Sequence, residues 1–193
     1  NVLAPNLGWR DIAVRDAFSS RLNLPVLVDN NVRAMALAES MFGVGRGVNT
    51  LAFVYGRVGV GAGFVMGGQI YRGTKAGAGE IGHSTMIPAG GAPCRCGNSG
   101  CLETLVSEPE IVRQAFALAA RAPGSILAMH LNALERQPGS DGAKPNSHID
   151  QVFAAAREGD RQARALLEER GHYMGTALAN LVNLINPDMI ILG

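Results

Sequence analysis

No run of apolar residues in this sequence approaches the roughly 20 that a helix needs to cross a bilayer. Its first residues, Asn1-Val2-Leu3-Ala4-Pro5-Asn6, lack the charged and apolar regions of a signal peptide. These two absences point to the cytoplasm and to no membrane partner. An excess of charge is missing too: seventeen Lys and Arg against sixteen Asp and Glu leave a formal charge of +1. Without a broad cationic surface, nucleic-acid binding by this segment alone is not expected. Cysteine is also scarce. Three thiols cannot all pair within one chain, and Cys94, Cys96 and Cys101 crowd into eight positions, which suits a metal better than a disulfide framework.

Apolar residues, at 47%, and glycine, 25 of 193 residues, are plentiful. That composition lies outside the disordered and coiled-coil classes and suggests several tight turns. Apolar spacing predicts a helix over 11–22 and a short buried strand at Pro25-Val26-Leu27-Val28, an α/β unit. A helix is expected over 32–42 with Asn30 and Asn31 at its amino end, then a strand over 50–55 and a hairpin of 61–66 with 69–71 turning at Gly67-Gly68. Residues 73–100 read as a loop with functional content, 108–120 as a helix with Pro109 in its first turn, and 137–147 as a mobile surface connection. Two helices over 149–156 and 160–184, parted at Gly159, lead to a strand over 189–192. A strand that ends in glycine at the last residue suggests that both ends were cut from a longer protein.

His83 and the three cysteines supply one imidazole and three thiolates, a full tetrahedral set for zinc. Four protein ligands leave no open position, so the zinc is expected to be structural; the alternative is three reduced cysteines beside an unrelated histidine. Glu80 and Glu103 bracket this loop. Carboxylates and amides hold adjacent sugar hydroxyls in pairs, so Glu80 and Glu103 with Asn30 and Asn31 could line a sugar pocket. Alternatively the acids are solvated and the asparagines cap a helix.

Four segments carry a resemblance: Val28-Asp29-Asn30-Asn31-Val32-Arg33-Ala34-Met35-Ala36-Leu37-Ala38-Glu39; Gly59-Val60-Gly61-Ala62-Gly63; Gly79-Glu80-Ile81-Gly82-His83; and Cys94 to Glu103. Together they resemble the ROK family of sugar kinases and sugar-responsive repressors over essentially the whole chain. The resemblance implies an α/β, actin-like fold (ribonuclease H-like, of hexokinase type) with two lobes and the sugar between them. Here it would be an incomplete fragment, with residues 1–30 the remnant of the small lobe and 31–193 the larger lobe that binds sugar and zinc. It implies sugar contacts from Asn30, Glu80, His83 and Glu103, with His83 also binding zinc.

Two departures separate sensor from kinase. Kinases of the family carry an aspartate after the pocket asparagine to take the proton of the attacking hydroxyl; this chain has Asn31, and an amide accepts no proton at neutral pH. Asp29 is not assigned that role. The kinases' Gly-Thr-Gly-Ile-Gly phosphate turn is replaced by Arg57-Val58-Gly59-Val60-Gly61, where backbone amides and Arg57 could still meet an anion, or where Gly59, Gly61 and Gly63 merely serve a tight hairpin. The expectation is therefore a sugar-sensing effector domain of a transcriptional regulator with no catalytic residue. Its partners would be a sugar effector, DNA only through a helix-turn-helix segment absent here, and further copies of itself in a homo-oligomer. The alternatives are a glucokinase-like fragment using ATP and Mg, and a zinc-stabilised module without a ligand.

Overall fold

The computed structural model describes residues 2–4, 9–135 and 147–193. Strands β1 (Val2–Ala4) and β2 (Trp9–Ile12) pair antiparallel ahead of helix α1 (Val14–Leu22), so the helix expected from Asp11 starts later because the preceding residues join a strand. Residues 25–28 form no strand. Leu27 is 94% exposed, and no sheet neighbour for this segment stands among the described residues. Apolar β-branched composition alone does not make a strand, since its amides need a partner across the ladder.

Helix α2 (Asn31–Phe42) follows, then β3 (Thr50–Gly56), β4 (Val60–Met66) and β5 (Gln69–Tyr71). With β6 (Met189–Leu192) they form one sheet in the order β5-β4-β3-β6, β6 running parallel to β3 and the other pairs antiparallel. The turn between β4 and β5 falls at Gly67 and Gly68, as their sequence predicts, with φ of +59° and +73° that a side chain would resist. Alternation along β3 splits the core. Leu51 and Phe53 join Val65 under α2, through Val32 and Ala36. Ala52 and Val54 join Ala62 and Phe64 on the opposite face, where Leu181 of α7 (Arg161–Ile185) covers them.

Between β5 and α7 in the chain come α3 (Glu103–Val106), α4 (Glu108–Arg121), α5 (Ile126–Glu135) and α6 (His148–Arg157). Helices α4 to α7 close a second core around Ala115, Leu127, Leu131, Val152 and Ala163. Helix α5 carries no expectation from the sequence reading, although Leu127, Ala128 and Leu131 give it a buried stripe. Asp160 ties this core together: one carboxylate oxygen caps α7 by accepting from the N–H of Gln162 and Ala163, and the other accepts from Leu127 of α5 at 2.9 Å. Burial alone would raise its pKa, but the three backbone donors outweigh it and hold Asp160 below the usual carboxylate range. Residues 137–146 of the expected surface connection lie outside the described residues; Ser147 forms a capping box with Asp150 at the start of α6. No helix among the described residues is long and apolar enough to cross a membrane.

Candidate functional site

The first residues of β4 are the hub on which the candidate site is assembled. Helix α2 lies against this strand so closely that a Cβ on Gly63 would stand 2.6 Å from the Ala36 Cβ and 2.8 Å from the Val32 carbonyl oxygen. On the other side, Ala62 N–H donates to the Gly79 carbonyl at 2.7 Å, and Gly82 packs so tightly that an added Cβ would meet the Val60 carbonyl oxygen. The Val60 N–H donates in turn to Glu103 Oε2 at 3.0 Å. Val60 to Gly63 therefore gathers the amino end of α2, the segment holding Glu80 and His83, and the start of α3. These are the three places from which the sequence reading draws its sugar contacts.

Each predicted residue has a defined setting. Asn30 caps α2, its Oδ1 accepting from Val32 N–H at 2.8 Å and Arg33 N–H at 3.2 Å. The capping alternative thus describes what its oxygen does. Asn31 is the exposed first residue of α2. Glu80 is exposed and precedes a single 3₁₀ turn, Ile81–His83, to which its side chain makes no capping bond. Glu103 is half-buried, with one oxygen committed to Val60. Gly61 and Gly63 lie within β4 rather than in a loop, and Gly59 sits in the turn before it.

The metal-type cluster forms as a unit. The ligand atoms of His83, Cys94, Cys96 and Cys101 all lie within 4.8 Å of one another. Cys94 Sγ stands 3.6 Å from His83 Nδ1, and Cys96 Sγ stands 3.7 Å from Cys101 Sγ. Tetrahedral zinc with sulfur at about 2.3 Å and nitrogen at about 2.0 Å requires edges of about 3.6 Å for sulfur to nitrogen and about 3.8 Å between sulfurs. The donor chemistry suits that ion and these two spacings match its edges, while the set as a whole spans up to 4.8 Å. Nδ1 is the ring nitrogen beside Cys94 Sγ, which leaves Nε2 on the opposite edge of the ring. Burial, then the neighbouring Cys94 and Cys96, pushes the Cys101 thiol up to about 12, while the backbone N–H of Asn98 holds Cys96 below its ordinary value.

Backbone bonds fold the cysteine loop onto the strand side. Met86 and Ile87 N–H both donate to the Gly100 carbonyl, Leu102 N–H donates to Ser84, and Cys94 N–H to Asn98. Gly100, at φ +67° with its would-be Cβ against the Ile87 carbonyl, permits this close return.

Two groups named as possible anion ligands are committed elsewhere. The Arg57 guanidinium donates from Nε to Glu108 at 2.9 Å, which raises its pKa, and the Val60 N–H is taken by Glu103. The sequence reading passes over a network beside Asn30. Asp29 accepts from Arg33 Nε at 2.7 Å and from Arg72 Nη2 at 2.8 Å, as well as from the Asn30 N–H at 2.8 Å. Burial opposes ionisation, yet Arg33, the Asn30 amide and Arg72 together hold Asp29 below the usual carboxylate range. The Asp29–Arg33 pair has the i,i+4 spacing that a sequence can reveal; Arg72 has no such signal.

A family model described as "ROK family" matches residues 2–193. The chain is 40% identical over 190 residues to a glucokinase of Halalkalibacterium halodurans, covering 98% of this chain and 54% of that relative. It is 35% identical over 192 residues to a xylose repressor of Caldicellulosiruptor bescii, covering 100% of this chain and 45% of the other. Among solved structures, a ROK family glucokinase from Streptomyces griseus in complex with glucose and AMPPNP superposes with a TM-score of 0.80 at 33% identity, covering 99% of this chain and 59% of that one. The chain therefore spans about half the length of the relatives it matches, and its α/β fold is the actin-like, hexokinase-type fold of those neighbours.

Proposed function

This chain belongs to the ROK family, and from that premise we propose that it is the sugar-binding part of a sugar-responsive transcriptional regulator, with a structural zinc behind the pocket wall. The observation that carries this reading is the lack of a usable base at the amino end of α2. Asn31 presents an amide there, and the neighbouring Asp29 has both oxygens engaged by two arginines and a backbone N–H. A positioned base contributes about 10²–10⁴-fold to such a transfer, and neither residue can supply it. The Val60 N–H, taken by Glu103, weighs the same way against a phosphate at the glycine-rich segment.

On this reading Asn30, Asn31, Glu80, His83 and Glu103 hold sugar hydroxyls. Glu103 Oε1 and the Glu80 carboxylate accept, the Asn30 and Asn31 amides donate, and His83 turns Nε2 to the ligand while Nδ1 belongs to the metal cluster. His83, Cys94, Cys96 and Cys101 would hold zinc, whose charge neutralises the thiolates and stiffens the loop bracketed by Glu80 and Glu103. Four protein ligands leave no place on the ion for substrate. Sugar binding would shift the populations of two arrangements of the whole protein, which meets DNA through a helix-turn-helix outside this sequence and works as a homo-oligomer in the cytoplasm.

A sugar kinase using ATP and Mg is the second reading, favoured by the 40% identity to a glucokinase. One experiment separates the two. Full-length protein is screened with hexoses, pentoses, amino sugars and their phosphates for a rise in melting temperature, and each stabilising sugar is then tested for sugar-dependent ADP release from ATP. Stabilisation without turnover supports the regulator. Turnover assigns the kinase, and a screen with no stabilising sugar leaves a zinc-supported module.

A further inference from the structure

The loop from Arg72 to Gly79 joins β5 to Glu80, and it is built against local preference. Lys75 and Ala76, neither of them glycine, stand side by side in the left-handed region at φ +57° and +56°, which L side chains resist. Three ties hold the loop. At its start Arg72 donates from Nη2 at 2.8 Å and Nε at 3.2 Å to Asp29 Oδ2. In its middle the Ala76 carbonyl accepts from Arg33 Nη1 at 2.8 Å. At its end the Gly79 carbonyl accepts from Ala62 of β4.

Arg33 is the member that spans these parts. It sits in the first turn of α2, is 7% exposed, and donates from Nε to Asp29 and from Nη1 to a carbonyl 43 residues away. Its own N–H meets the Oδ1 of Asn30. The side chain thus connects Asp29, which accepts from the backbone N–H of the capping residue Asn30, with the loop that leads to Glu80, while Arg33's backbone N–H meets the cap itself. Glu80 has no capping bond to the turn that follows it, so the placement of its carboxylate depends on the backbone that precedes it. An exposed ion pair has little energetic weight, whereas a buried guanidinium that satisfies a carboxylate and a carbonyl together fixes geometry, because its donors form a rigid fork.

We propose that Arg33, through Asp29, Arg72 and the Ala76 carbonyl, is a positioning residue that sets the spacing between the Asn30 amide and the Glu80 carboxylate and so the affinity for sugar. The proposal rests on the sugar-binding reading and deepens it. A pair of polar groups grips two hydroxyls of a ring only at one separation, and misplacement weakens both bonds at once.

The test is calorimetric titration of full-length protein with D-glucose and with D-xylose, on the wild type and on Arg33→Met, Arg33→Lys and Arg72→Met, with zinc content measured on each. Arg33→Met is expected to weaken sugar binding about tenfold or more, the loss that accompanies removal of a charged hydrogen bond. Arg33→Lys restores little of this, because one ammonium cannot serve Asp29 and Ala76 in the fork geometry. Arg72→Met alters a side chain that is 53% exposed and leaves the fold unthreatened; it releases the start of the loop and weakens binding by a smaller factor. One zinc per chain is retained throughout. Unchanged affinity in Arg33→Met or Arg72→Met, whatever the melting temperature does, overturns the clamp and leaves the sugar reading standing. A wild type that takes up neither sugar refutes the sugar reading for these ligands and removes the clamp's role with it.

Discussion

Alanine at Gly63 tests whether the glycines of β4 serve helix packing or a phosphate. The new Cβ would stand 2.6 Å from the Ala36 Cβ, 2.8 Å from the Val32 carbonyl oxygen and 3.2 Å from the Arg33 Cα. Carbon atoms rest about 3.5–4.0 Å apart, so α2 must retreat by about 1 Å, and two of the three obstructing atoms are backbone. Overpacking of this kind costs about 1–3 kcal/mol. With a urea slope of about 2 kcal/mol per M, the midpoint falls by about 1 M. The helix that retreats also carries Asn30 and Asn31, so sugar affinity falls with stability. Gly61 is the control. Its Cβ would find the Val32 Cγ2 at 3.6 Å and the Gly79 carbonyl oxygen at 3.8 Å, ordinary contact distances. Gly61→Ala is therefore neutral or, by stiffening the unfolded chain, stabilising by a few tenths of a kcal/mol. Urea unfolding followed by circular dichroism reads both variants. A Gly63→Ala midpoint equal to the wild type refutes the packing account, and equal damage from both substitutions points to a demand on the glycines other than close approach of α2.

Changing Cys96 to Ser should drop zinc from one per chain toward none and lower the melting temperature, since metal binding and folding are coupled; retained unit stoichiometry in metal analysis contradicts the ligand set. Glu103→Ala is expected to weaken sugar binding about tenfold in calorimetry with zinc retained, and unchanged affinity removes Glu103 from the pocket. Asn31→Asp returns a carboxylate to the base position, and slight sugar-dependent ADP release is the outcome expected if that residue alone is missing; no gain means that more than one part is missing. Asp160→Asn keeps a cap oxygen for α7 but loses the acceptor for Leu127 N–H, which costs about 2 kcal/mol. The folded-state pKa of Asp160 is depressed, so its contribution is complete above the unfolded value of about 4 and is lost as pH falls through the folded one. The stability gap between wild type and variant should therefore narrow only below about pH 4, and a gap already shrinking at pH 6 would contradict the assignment.

The local signals were legible because they depend on neighbours in sequence. The apolar run over 51–55 specified β3, the Gly67-Gly68 pair specified the hairpin of β4 with β5, and the helix formers between Asn30 and Gly43 specified α2 with its cap. The cysteine spacing around one histidine named a four-ligand cluster, because donor chemistry and short loops leave a metal few other arrangements; the structure brings those atoms within 4.8 Å. Periodicity misled at residues 25–28, where a strand-like composition finds no ladder partner among the described residues. Only tertiary structure decided which polar groups were already spent. Sequence leaves Arg57 and the Val60 amide looking available, and long-range contacts pair them with Glu108 and Glu103 and bring Arg72 to Asp29. The physical reason is range. Pattern and propensity act over a few residues, whereas a hydrogen bond across 43 positions exists only once the chain has folded and brought its two ends together.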